Sequence, residues 1–60
     1  MNYLATILLK DGSSTKLFKN MEEAKRWFDE SKKDPENETY IDIYDENWRK
    51  VKTVPYAGHL

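Results

Sequence analysis

The side chains able to do chemistry are few, and most stand where chemistry is hard to hold. The only histidine, His59, follows Gly58 at the end of the 60 residues. A general base has to be kept within hydrogen-bond reach of a substrate proton, and a frayed chain end is a poor holder. No serine or threonine stands beside a plausible base and the chain has no cysteine, so nucleophilic catalysis lacks its participants. Asp42, Asp45 and Glu46 suggest a cation site at first sight. A calcium loop, however, needs alternating oxygen ligands, a central glycine and a distal bidentate glutamate. Neither that glycine nor that glutamate is in place here. Asp11-Gly12-Ser13-Ser14 lacks the glycine spacing and the lysine of a phosphate loop, and a turn between strands accounts for it. These residues lead us to expect no enzyme, no cofactor and no metal.

One further constellation has a chemical meaning. Lys16, Lys19, Lys50 and Lys52, with Tyr40, Tyr44 and Trp48, combine cations with flat rings. That is how single-stranded nucleic acid is gripped without sequence preference. A net charge of −1 weighs against it. Lysines also serve to keep sheet edges from pairing with other chains. Nucleic acid is therefore the alternative partner, behind protein.

The elements that must position these residues follow from periodicity. Tyr3 to Lys10 is an apolar, partly β-branched run of strand length, and Asp11-Gly12 suits a hairpin turn. Ser14 to Lys19 reads as the second strand, with the loop length left open between two and four residues. Asn20 is a good helix N-cap with Glu23 three residues on, as in a capping box. From Met21 to about Lys33 the spacing is helical, with Met21, Ala24, Phe28 and Ser31 on one stripe and Trp27 at its edge. Glu22, Arg26, Asp29 and Lys33 lie on the charged side. Asp34-Pro35 should stop the helix.

The segment "TYIDIYDENWRKVKTV" predicts a second hairpin. A three-residue loop Asp45-Glu46-Asn47, with Asn47 left-handed, would set Tyr44 opposite Trp48 and Asp42 opposite Lys50. Ile41 would then face Val51, and Tyr40 would face Lys52. Pro55 should end the last strand, and residues 57–60 should form a flexible tail after a domain spanning 1–56. The result is an α+β fold, ββαββ, with one helix packed on one face of a four-stranded sheet. Its expected core is Ile7, Leu17 or Phe18, Ala24, Phe28, Ile41, Ile43 and Val51.

The element order, the short helix with "AKRWF" at its centre and the closing hairpin resemble the immunoglobulin-binding domains of streptococcal protein G. The resemblance spans nearly the whole chain as order and length, and no individual binding residue carries over. It implies that the first and last strands are central and parallel, and that the chain binds protein. The composition is also similar to that of small bacterial and phage proteins, which implies an accessory or inhibitory role.

No apolar run approaches the roughly 20 residues of a membrane span. The absence of cysteine suits a reducing compartment, so a cytoplasmic protein is expected. One helix covers only one side of a sheet. Alternation sends Ala5, Ile7 and Leu9 one way and Leu4 and Leu8 the other. If Leu4 and Leu8 share the open side with Tyr40, Tyr44, Trp48, Lys50 and Lys52, they make an apolar-aromatic surface of the kind that marks interfaces. The sequence thus points to a protein partner or to self-association, through these residues.

Overall fold

The computed structural model describes residues 1–31 and 36–56. Five elements follow in order: β1 (Asn2–Leu9), β2 (Gly12–Phe18), α1 (Met21–Ser31), β3 (Thr39–Tyr44) and β4 (Lys50–Pro55). This is the expected α+β fold, ββαββ, with a four-stranded sheet. The tail over 57–60 with His59, and the helix stop at Asp34-Pro35, lie outside the described residues.

Local chemistry explains the elements. Lys10 and Asp11 form a two-residue loop that pairs Leu9 with Gly12, so β2 begins at the glycine. Gly12 has φ 157°, a value side-chain-bearing residues rarely adopt. Asn20 caps α1: its Oδ1 accepts from the Glu23 backbone N–H at 2.9 Å, and its amide donates to the Glu23 carboxylate at 2.8 Å. The buried residues of α1 are Ala24 and Phe28, with Met21, Trp27 and Ser31 half-buried beside them.

The strand order is β2-β1-β3-β4, with every neighbouring pair antiparallel. The protein G-like arrangement, with terminal strands central and parallel, is therefore not the one adopted. β1 and β3 are central, and β4 is an edge. The physical reason lies in β4, which carries Lys50, Lys52 and Pro55. Proline has no N–H to give a central ladder, so it belongs at an edge. β2 and β3, both antiparallel to β1, run parallel with β1 between them, and α1 makes the crossover.

The core lies between α1 and the sheet. It consists of Ala5, Ile7, Ala24, Phe28, Ile41 and Ile43, with Tyr3, Phe18, Met21, Trp27, Val54 and Tyr56 packed against it. Of the residues expected there, Leu17 is 43 % exposed and Val51 51 % exposed. Phe18, the other β2 residue expected there, packs against the core, and Val54 takes the place of Val51. Aromatic rings run across the layer in contact: Phe18 to Trp27 at 5.7 Å, Trp27 to Phe28 at 5.6 Å, and Phe28 stacked on Tyr56 at 5.2 Å.

Candidate functional site

Cross-strand partners point to the same side of a sheet, so the registers define both faces. Ala5, Ile7, Ile41 and Ile43 face the helix. The opposite, open face then carries three rows. Lys19 follows β2 at one end, where Asn2 pairs with Tyr44 and Tyr44 with Lys50. Next come Leu17, Leu4, Asp42 and Thr53, and then Thr15, Thr6, Tyr40 and Pro55. Leu8 lies beyond, opposite Ser13, and is 36 % exposed.

Leu4, Leu8, Tyr40, Tyr44 and Lys50 thus lie together on the open face. Lys52 does not join them as expected, and Trp48 meets Tyr44 from the loop rather than from a paired strand position. The hairpin loop has three residues but sits one place later, Glu46 to Trp48, closed by the Asp45 N–H donating to the Arg49 carbonyl at 3.0 Å. Asp45 sets this position. Its Oδ1 accepts from the N–H groups of Asn47 and Arg49, each at 2.9 Å, and its carbonyl accepts from Trp48 N–H at 3.0 Å. An aspartate is favoured as the residue opening such a turn. The left-handed residue is therefore Trp48, at φ 61°, and not Asn47.

A register break between Ile43 and Tyr44 adds one more step, because Tyr44 pairs with Lys50 and Ile43 with Lys52. Val51 is the extra residue, a β-bulge. Ile41 consequently meets Val54 where Val51 was expected, and Asp42 meets Thr53 where Lys50 was expected. Beyond the bulge the offset is three residues, an odd number, so the side chains of β4 from Lys52 onward change faces while Lys50 keeps its own. Lys52 lands on the helix side opposite Ile43, and Tyr40 faces Pro55. Some expected contacts survive without strand pairing. The Tyr44 and Trp48 rings are 5.9 Å apart, and Lys50 Nζ reaches Asp42 at 3.3 Å.

The lysines divide likewise. Lys16, opposite Ala5, is on the helix side with its amine 5.6 Å from the Phe18 ring centroid. Lys19 donates to Asn2 Oδ1 at 2.6 Å. Asn2 is buried, and its amide donates to the Asp45 carbonyl at 3.2 Å, tying the end of β2 to the β3–β4 turn. At the same end the Met1 amine donates to Glu46 at 2.9 Å. That hydrogen bond, then the charge of the amine, holds the Glu46 carboxyl below its usual range.

Among the described residues no group of acids and histidines is placed to hold a metal, and no helix is long and apolar enough to cross a membrane. Two contributors escape sequence reasoning. Leu17 joins the open face because the first loop has two residues, which only the paired strands reveal. Asn2 reads as an ordinary polar residue, yet it is the buried link between two turns. What this geometry defines is a half-covered ββαββ sheet with a leucine-tyrosine surface. No family model, no curated protein and no solved structure matches the chain.

Proposed function

We propose that the chain is a non-enzymatic protein-binding module whose docking surface is the open face of its sheet. The observation that carries this reading is the continuity of Leu17, Leu4, Leu8, Tyr40 and Tyr44 on the side that α1 leaves uncovered. Large contiguous apolar patches mark interaction sites, and tyrosine is enriched in interface cores. The role is accessory or inhibitory: the module occupies a partner's surface in the cytoplasm, the compartment that suits a chain without cysteine. The nucleic-acid alternative loses support from the placement of its lysines. Lys16 and Lys52 face the helix side, while Lys19 and Lys50 are engaged with Asn2 and Asp42.

The test compares capture from host lysate by the wild type, by the double variant Leu8→Glu/Leu17→Glu, and by Arg26→Glu on the exposed side of α1. A protein retained by the wild type and Arg26→Glu but lost by the double variant supports the open face. Equal retention by all three sinks it. Retention of a single-stranded oligonucleotide that falls steeply with salt would replace it with the alternative.

A further inference from the structure

The two edges of the sheet are unlike. β4 ends in Pro55, carries the extra residue Val51 and presents Lys50 and Lys52. Each of these devices discourages another strand from pairing there. β2 reads Gly-Ser-Ser-Thr-Lys-Leu-Phe, with no proline, an unbroken register against β1, and Lys16 as its one charge. All of it is exposed except Phe18, which is half-buried. A row of unpaired N–H and C=O groups along such a strand is matched in full only by another strand.

Geometry fixes which groups face outward. In a two-residue hairpin the closing pair, here Leu9 and Gly12, exchanges both hydrogen bonds, and such pairs alternate along an antiparallel ladder. Ser14, Lys16 and Phe18 therefore bond inward to β1. Ser13, Thr15 and Leu17 direct their backbone groups to the free edge.

We propose that this edge pairs antiparallel with β2 of a second copy of the chain, on a two-fold axis at Thr15, making one sheet continuous across both copies. The sequence of the strand is self-complementary in that register. Thr15 meets the other copy's Thr15, and Ser13 meets Leu17. Ser14 meets Lys16, so no lysine stands directly opposite a lysine. Gly12 meets Phe18, whose ring covers a position with no side chain of its own. On the helix side, the groove beside β2 is lined by Lys16, Phe18, Glu23, Arg26, Trp27 and Glu30. Its two acids, Glu23 and Glu30, balance its two cations, Lys16 and Arg26, so the incoming Lys16 meets no net like charge there. On the open face each Leu17 lies opposite the other copy's Ser13, on either side of the axis, so the open faces of the two copies join into one. The pairing uses backbone groups and stands independently of the open-face reading.

The experiment is sedimentation velocity on the full chain from micromolar to millimolar concentration, with circular dichroism as the check on folding. The wild type is expected to show a monomer–dimer equilibrium. Thr15→Pro removes an outward N–H while leaving the backbone ladder to β1 intact, losing toward β1 only the hydroxyl contact with Thr6 at 3.4 Å, and should weaken dimerisation about tenfold or more. Thr15→Lys and Thr15→Glu, which keep every backbone group, should each be monomeric alone and dimerise when mixed. That rescue is specific to residues facing each other across the axis. A wild type that stays monomeric at millimolar concentration overturns the proposal. So does a dimer indifferent to all three variants but lost in Leu8→Glu, which would place the contact on the open face instead.

Discussion

Trp48 holds a left-handed backbone, φ 61°, with its side chain 55 % exposed. For an L-residue that conformation costs roughly 1–2 kcal/mol, which glycine largely escapes. The strain is held by Asp45, whose carboxylate and carbonyl together fix the three residues after Glu46. At most positions alanine is more stable than glycine; here the order should invert. Trp48→Ala and Trp48→Gly both lose the ring contact with Tyr44, so their difference isolates the backbone. Trp48→Gly is expected to be the more stable by about 1 kcal/mol in urea unfolding, with equal m-values. Trp48→Ala should remain folded, since the indole lies outside the core.

At the scale of the element, the β3–β4 hairpin decides which valine stabilises the protein. The bulge leaves Val51 unpaired and exposed, while Val54 pairs with Ile41 and packs against the core. Exposed substitutions of this kind usually change stability by less than about 0.5 kcal/mol, whereas truncating a core-packed aliphatic costs about 1–2 kcal/mol. Thermal melts of Val51→Ala and Val54→Ala should separate accordingly, with Val54→Ala the lower. Equal melting temperatures would mean that the register is not the one described. The same bulge turns Lys52 toward the helix side, taking one cation off the candidate surface.

For the whole molecule, the stability available to 60 residues is roughly 3–9 kcal/mol, so single contacts matter. The layer of rings from Phe18 to Tyr56 spans the sheet from the β2 edge to the end of β4. Tyr56 closes it: its N–H donates to the Thr39 carbonyl at 3.0 Å, and its hydroxyl donates to Asp29 at 3.3 Å. Burial first, then the Asp29 charge and hydrogen bond, raise its phenol above the ordinary value of 10.0. A raised pKa means that the folded state favours the protonated form. Its contribution is therefore complete below the unfolded pKa and is lost as pH rises through the folded one. Urea midpoints followed into alkali should hold up to about pH 10 and then fall, and Tyr56→Phe should lessen that fall. An equal fall in the variant would assign it to other groups.

Local chemistry made much of this protein legible in its residues. Asn20 and Glu23 mark the start of α1, Ala24 and Phe28 its buried stripe, and the alternation of Ile41 with Ile43 the inner face of β3. These signals act over a turn or a pair of residues, so the chain carries them whatever surrounds it. The element order and the α+β class follow from them. The strand order does not, because nothing local says which partner β1 will choose; Pro55, which cannot serve a central ladder, settles β4 at an edge only when the strands compete. Nor was the hairpin register legible. A one-place shift of the loop about Asp45 and one unpaired residue at Val51 together moved the register of β4 by three residues, exchanging Val51 for Val54 in the core and taking Lys52 off the open face. Side-chain facing in a strand has a period of two: the loop shift moves the register by two residues and keeps the facing, and the single bulge residue reverses it. Those events are decided by hydrogen bonds that exist only once β1, β3 and β4 have come together.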